Sequence, residues 1–209
     1  MLFDHFSEED LARRLAEAAG SIHTPQDPLP SVFPNGYLNG PPRPAGVLIP
    51  FLQQDGIWQI LFTRRTDKLP EHSGQVAFPG GRSDPRDASP EATALREAYE
   101  EIGLLPDSVR LLGRLDTFIT NTNYLLTPVA GVITWPFPLK LEVEEVHRVF
   151  TIPVAWLADP VNHEIRERQL HSPYPPVPVI YFQPYDGEVL WGVSAAITIN
   201  LMKILFWDR

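Results

Sequence analysis

The chain has 209 residues, 44% hydrophobic and 21% charged, which is enough for one substantial folded domain and argues against disorder throughout. Its 17 Lys and Arg against 26 Asp and Glu leave a net charge of −9, which excludes a general affinity for nucleic acid or an anionic membrane. With no cysteine, disulfides, Cys-based zinc sites and a thiol nucleophile are excluded, and a reducing, cytoplasmic setting is expected.

The start, Met1-Leu2-Phe3-Asp4-His5, lacks a basic residue followed by an apolar run, so no signal peptide is expected. Ser7 to Ala19 reads as a helix: Ser7 caps it, Glu8, Glu9 and Asp10 suit its first turn, and Leu11, Leu15 and Ala18 form an apolar stripe. Thr24 to Pro44 is proline-rich and predicts an extended surface arm, so residues 1–43 are set apart from a main domain at 44–209. Ala45 to Leu52 and Ile57 to Thr63 are strand-like, joined by the hairpin signal Asp55-Gly56. A third strand is expected at Gln75 to Phe78, before a turn at Pro79-Gly80-Gly81. The next helix has Ser89 as cap, Pro90 at its first position, Glu91 in its first turn and Gly103 beyond its end.

Strands are then expected at Val109 to Leu115, Pro128 to Ile133 and Val146 to Ile152, with a helical turn at Ala155 to Ala158. Residues 173–178 hold four prolines and predict a loop, followed by a strand at Val179 to Gln183. Val189 to Trp207 is mostly apolar but holds Gly192, Ser194, Thr198, Asn200 and Lys203; this predicts a buried or amphipathic C-terminal helix and not a membrane span. Strands and helices without a regular βαβ rhythm predict an α/β fold, a mixed sheet with helices on both faces.

The most informative segment is Arg96-Glu97-Ala98-Tyr99-Glu100-Glu101-Ile102-Gly103-Leu104. Positions i, i+3 and i+4 share one helical face, so Glu97, Glu100 and Glu101 converge and repel by a few tenths of a kcal/mol per pair. A cation removes that repulsion, and hard oxygen donors suit Mg²⁺ or Mn²⁺. Glutamate-rich solvated helix faces are common, so this segment alone leaves both readings open. Phe78-Pro79-Gly80-Gly81 precedes the helix, and its glycines allow a tight turn and a close approach of backbone to ligand.

Together these pieces resemble the Nudix box. Gly81 is followed by five residues and Asp87, then by eight residues and the block Arg96 to Leu104, which matches the family's Arg-Glu-apolar-x-Glu-Glu-x-Gly-apolar in full. Asp87 stands where most members have Glu, and the spacer is one residue longer than usual. The resemblance implies a Nudix-type α/β/α sandwich with a mixed β-sheet, and a metal site of Glu97, Glu100 and Glu101 binding Mg²⁺ or Mn²⁺.

The departures are similar to the coenzyme A pyrophosphatase branch of the family. Its upstream motif is matched in register by Leu61-Phe62-Thr63-Arg64-Arg65-Thr66, Gly74 and Phe78 to Gly81. Downstream, Thr127-Pro128-Val129, Glu145-Val146 with Phe150-x-Ile152-Pro153, and Trp191-Gly192-x-Ser194-Ala195 continue the likeness. Pro70 replaces the motif's middle Arg, and Thr66 stands for Ser or Ala.

What this resemblance implies is hydrolysis of the diphosphate of coenzyme A or its derivatives to 3′,5′-ADP and 4′-phosphopantetheine. Glu145 is the first candidate for the base that takes a proton from water, with Glu100 second; an acidic, solvated edge of Glu142, Glu144 and Glu145 is the bland alternative. Arg96 is expected to orient a helix carboxylate. Arg65, Arg64, Lys68 and His72 are candidates for the substrate's 3′-phosphate, and Gly80 and Gly81 for the substrate loop. The expected partner is a small nucleoside diphosphate derivative, with no nucleic acid and no membrane; a homodimer is left open. Two alternatives stand beside this: a Nudix pyrophosphatase for ADP-ribose or a dinucleotide, favoured by Pro70 and Thr66, and a non-catalytic nucleotide-sensing module.

Overall fold

The computed structural model describes residues 7–21, 33–34, 37–68 and 73–207. Pro70 and His72 lie outside the described residues.

The sheet begins with β1 (Arg43–Gln54) and β2 (Ile57–Arg65), an antiparallel hairpin pairing Phe51 with Ile60 and Gln54 with Ile57. Asp55 and Gly56 both take positive φ, 52° and 76°, the geometry that a two-residue hairpin turn demands. The expected third strand is two short ones: β3 (Val76–Ala77) pairs with β2, and β4 (Gly80–Arg82) pairs with β1. β5 (Val109–Arg114), β6 (Phe118–Ile119) and β7 (Tyr124–Ile133) follow, then β8 (Val146–Pro153). The path β3-β2-β1-β7-β5, with β4 on β1, β6 on β7 and β8 on β2, makes eight strands. β1 and β7 run parallel while every other pair in this sheet is antiparallel, so the sheet is mixed, as expected.

Both faces of the sheet are covered. Helix α2 (Pro90–Ile102) packs on one, where Leu48, Leu52 and Leu61 meet Ala94, Ala98 and Ile102, all fully buried. Helices α1 (Glu8–Ser21), α3 (Val154–Ala158) and α4 (Gly192–Met202) serve the other, around Ile49, Phe51, Ile60 and Phe62. Each such large apolar side chain contributes about 1.5–3 kcal/mol by leaving water. This three-layer α/β/α architecture explains why β1 carries a nearly continuous apolar run: neither of its faces meets solvent.

Local chemistry sets the helix ends. Ser89 has extended backbone, and its Oγ accepts from Ala92 N at 3.3 Å, with Pro90 in the first turn. At the other end Gly103 takes φ 75°, and its N–H donates to Tyr99 O at 2.9 Å. In α1, Ser7 Oγ accepts from Asp10 N while Asp10 Oδ2 accepts from Ser7 N, a reciprocal cap. Leu11 and Leu15 of α1 are buried against β5 and the C-terminal turn.

Two expectations need correction, and one strand lies where none was expected. A strand β9 (His163–Arg168) pairs with β10 (Val177–Phe182) as a separate two-stranded sheet, although β9 carries no apolar alternation. β10 starts at Val177, inside the stretch read as loop. The C-terminal helix starts at Gly192 and not Val189, because Leu190 O accepts from Phe182 N and Trp191 bridges Tyr181; its last turn, Lys203–Trp207, is π-helical. No helix among the described residues is long and apolar enough to cross a membrane.

Candidate active site

Helix α2 brings Glu97 and Glu101 to Gly80 and Gly81 at the start of β4, and Glu100 to Arg96. Glu101 is buried at 4% exposure, and its Oε2 accepts from Gly80 N at 3.3 Å. The cation beside it is Arg65, with Nη1 3.9 Å from Oε1. Burial pushes the Glu101 carboxyl up to about 8; Arg65 opposes that, and the charges of Glu97 and Glu145 add to it. Burial also raises Glu97, against the pull of Arg96 and with repulsion from Glu100 and Glu145.

Gly80 and Gly81 act by being small. Gly80 sits at φ 154°, and a Cβ there would lie 2.5 Å from Gly46 O. A Cβ on Gly81 would lie 2.5 Å from Glu97 Oε2, so the missing side chain is the space in which that carboxylate sits.

Arg96 gathers the acidic groups. Its Nη1 stands 2.8 Å from Glu97 Oε1 and 2.8 Å from Glu100 Oε2, and its Nη2 donates to Arg82 O at 3.0 Å. Nε and Nη2 clasp Asp87. Asp87 also accepts from Asp84 N and from Thr93 Oγ1, and the Arg96 guanidinium holds its carboxyl well below the usual range. Asp87 anchors Arg96 and is itself held by Thr93; the loop-helix packing that creates this leaves no local sequence pattern. Arg82, Ser83, Asp84, Pro85, Arg96 and Glu97 line an open cleft of about 300 Å³.

Glu145 is placed by backbone bonds. Glu142 N donates to Glu101 O, Glu145 N to Glu142 O, and Thr66 N to Glu145 O, each at 2.9 Å. The loop 140–145 is thereby docked on the last turn of α2, close enough for Glu145 to repel Glu97 and Glu101.

The four basic candidates do not converge. Arg65 faces the glutamates from β2, and its buried Nε has no hydrogen-bond partner among the described residues. Arg64 points to the opposite face, held by Asp67 Oδ1 at 2.8 Å and Glu188 Oε2 at 3.3 Å. Lys68 is exposed and 3.6 Å from Glu144. His72 lies outside the described residues.

A divalent cation would have to be held by these donors. As arranged, Arg96 stands between Glu97 and Glu100, and among the described residues no three His, Asp or Glu side chains converge on one point. The donor chemistry nevertheless fits: Glu97 and Glu101 are hard oxygen ligands destabilised in their charged form by burial and mutual repulsion, which a cation would relieve.

Comparison with known proteins bears on the same segment. The NUDIX domain family model matches residues 42–173. The chain is 36% identical over 171 residues to the uncharacterized Nudix hydrolase NudL of Yersinia pestis (strain Pestoides F), covering 80% of this chain and 82% of that protein. The Yersinia pseudotuberculosis (serotype O:1b) NudL gives the same values. Among solved structures, the Nudix hydrolase RenU of M. Smegmatis aligns with TM-score 0.48 and 21% identity, over 58% of this chain and 76% of that one. A MutT/nudix family protein from Enterococcus faecalis aligns with TM-score 0.48 and 18% identity, over 93% and 71%.

Proposed function

The chain belongs to the Nudix family of hydrolases, and from that premise we propose that it cleaves the diphosphate bond of coenzyme A or a coenzyme A derivative. The products are 3′,5′-ADP and 4′-phosphopantetheine or its acyl form. The observation that carries this reading is Arg65, a half-buried cation on β2 that faces Glu101 and whose Nε has no hydrogen-bond partner among the described residues. It stands in register with the upstream motif of the coenzyme A branch, where an arginine is a natural partner for phosphate.

Glu97, Glu100 and Glu101 would hold Mg²⁺ or Mn²⁺, which when bound offsets charge on the diphosphate oxygens and makes the attacking water more acidic. Glu145 takes the water's proton on its carboxylate. Arg96 fixes the orientations of Glu97 and Glu100, and Asp87 fixes Arg96. Gly80 N–H holds Glu101 Oε2, which sets the height of that carboxylate in the site.

One observation favours a second reading, a pyrophosphatase for ADP-ribose or a dinucleotide. Arg64 is committed to Asp67 and Glu188 on the far face, which leaves fewer cations for a 3′-phosphate. Hydrolysis rates for coenzyme A, 3′-dephospho-coenzyme A and ADP-ribose, with products identified by mass, separate the two. The coenzyme A reading expects coenzyme A to be cleaved fastest; equal rates for all three would overturn it. Glu100→Gln and Glu101→Gln are each expected to abolish nearly all turnover with the fold intact. Wild-type rates in both would sink the hydrolase site, and tight nucleotide binding without turnover in the wild type would support a sensing module.

A further inference from the structure

β9 forms the rim of the small sheet. Among the described residues it is paired on one side only, with β10, in the register Arg168↔Val177 to His163↔Phe182. Glu164 to Arg168 are all exposed, and Ile165, in the middle, is 68% exposed. The direction of its backbone groups can be read from one bond. Gln183 N donates to Asn162 O at 2.7 Å, one pair beyond that register. Backbone groups alternate along an antiparallel ladder, so Glu164, Arg166 and Arg168 turn theirs toward β10, while His163, Ile165 and Glu167 turn theirs to the open edge.

We propose that this edge is a self-association surface, where β9 of a second copy pairs antiparallel across a two-fold axis through Ile165. Symmetry and charge select that register. Opposed residues in an antiparallel pair must share the same hydrogen-bonding parity, so the axis passes through a residue and not between two. An axis through Glu164 sets glutamate against glutamate, and one through Arg166 sets arginine against arginine; like charges directly opposite are unfavourable. An axis through Ile165 sets the two exposed isoleucines together as a hydrogen-bonded pair. It sets Glu164 opposite Arg166 of the partner subunit, twice by symmetry, and His163 opposite Glu167 of the partner subunit, twice. The self-pairing is charge-complementary at Glu164 and Arg166, and opposes no like charges at His163 and Glu167.

The strand also lacks two of the devices that keep an edge single. It contains neither Lys nor Pro. Its arginines are drawn onto one face of the hairpin: Arg166 lies over the Tyr181 ring at 4.8 Å and Arg168 over the Trp191 ring at 5.1 Å. Tyr181 and Trp191 stack at 5.4 Å and 2°. The guanidinium groups therefore rest on an aromatic platform, Arg166 also bonded to Glu164 of its own strand, and among the described residues they leave the backbone edge open. By contrast, at β8 a neighbouring turn brings Asp186 and Glu188 against the Arg148 side chain. The surface is independent of the carboxylate helix and of any reading of the reaction.

The test uses the full chain in sedimentation equilibrium from low to high micromolar concentration. The wild type is expected to show a concentration-dependent dimer. Glu164→Arg and Arg166→Glu are each expected to shift it to monomer with unchanged melting temperature, and the double exchange E164R/R166E to restore the dimer. A second measurement exploits the absence of native cysteine. Cα atoms in a hydrogen-bonded antiparallel pair are about 5.5 Å apart, within disulfide reach. Ile165→Cys is therefore expected to form a covalent dimer under mild oxidation far faster than Ile57→Cys, an exposed control on the β1–β2 hairpin. A wild type that stays monomeric throughout overturns the proposal. So does a dimer unmoved by both single reversals, failure of the double exchange to restore it, or equal cross-linking at residues 165 and 57.

Discussion

The guanidinium of Arg96 closes on the carboxylate of Asp87 with two prongs, Nε 3.0 Å from Oδ1 and Nη2 2.9 Å from Oδ2. The remaining nitrogen, Nη1, is thereby aimed at Glu97 and Glu100. Asp87→Asn keeps the shape and removes the charge that fixes Arg96. It is expected to weaken Mn²⁺ affinity and lower kcat/KM by about 10–100-fold, the usual effect of losing a group that orients a ligand. Titration calorimetry with Mn²⁺ checks this independently of turnover; unchanged affinity would show that the Arg96 anchor is dispensable.

Gly80 and Gly81 should fail in different ways. At Gly81 the nearest atoms to an added methyl are those of the Glu97 carboxylate, a side-chain tip that can swing aside. Gly81→Ala is expected to lower turnover by roughly 100-fold through displacement of that carboxylate, with little change in melting temperature. At Gly80 the methyl meets the backbone of Gly46 and Val47, and φ is 154°. Gly80→Ala is expected to lose activity and melt several degrees lower. Similar melting temperatures for the two variants would contradict this division.

Arg64 and Arg65 are adjacent yet serve opposite faces of β2. Arg65→Ala is expected to lower kcat/KM at least about tenfold, by loss of a charge-assisted contact to phosphate. Arg64→Ala removes the pair with Glu188, both side chains being under one-fifth exposed. It is expected to cost about 1 kcal/mol of stability while leaving kcat/KM nearly unchanged. Urea denaturation and steady-state kinetics on both variants decide it; a large kinetic defect in Arg64→Ala alone would invert the assignment.

The elements legible in the sequence are those whose cause is local. Asp55-Gly56 dictates its hairpin, and Ser89, Pro90 and Gly103 mark α2 at both ends, because turn and cap chemistry needs only neighbours in the chain. Spacing alone puts Glu97, Glu100 and Glu101 on one side of α2, but does not reveal the Arg96 guanidinium between Glu97 and Glu100. Nor was the division of Arg64 from Arg65 legible, because the strand was read as stopping at Thr63, whereas β2 continues to Arg65 and imposes its alternation on both. β9 was missed since His163-Glu164-Ile165-Arg166-Glu167-Arg168 has no buried face to mark it. Asp87 appeared only as a motif position; its contact with Arg96 depends on how the loop 83–89 folds back against Thr93.

The pair Glu91–Arg114 ties the first turn of α2 to β5, with Arg114 Nη2 2.7 Å from Glu91 Oε2. Arg114 lowers the Glu91 carboxyl from 4.5 to about 2. A carboxylate depressed in the folded state stabilises the fold fully above its unfolded value, and the contribution fades as pH falls toward the folded value. The window is therefore about pH 4.5 down to about 2. The Arg114 side chain is 40% exposed. Solvent screening therefore reduces the contribution to about 1 kcal/mol. Wild type and Glu91→Gln, compared by urea denaturation, should differ by about that amount at pH 7. The gap should shrink by more than half at pH 3 and close near pH 2. A gap that persists unchanged at pH 3 would mean that Glu91 acts through packing and not through its charge.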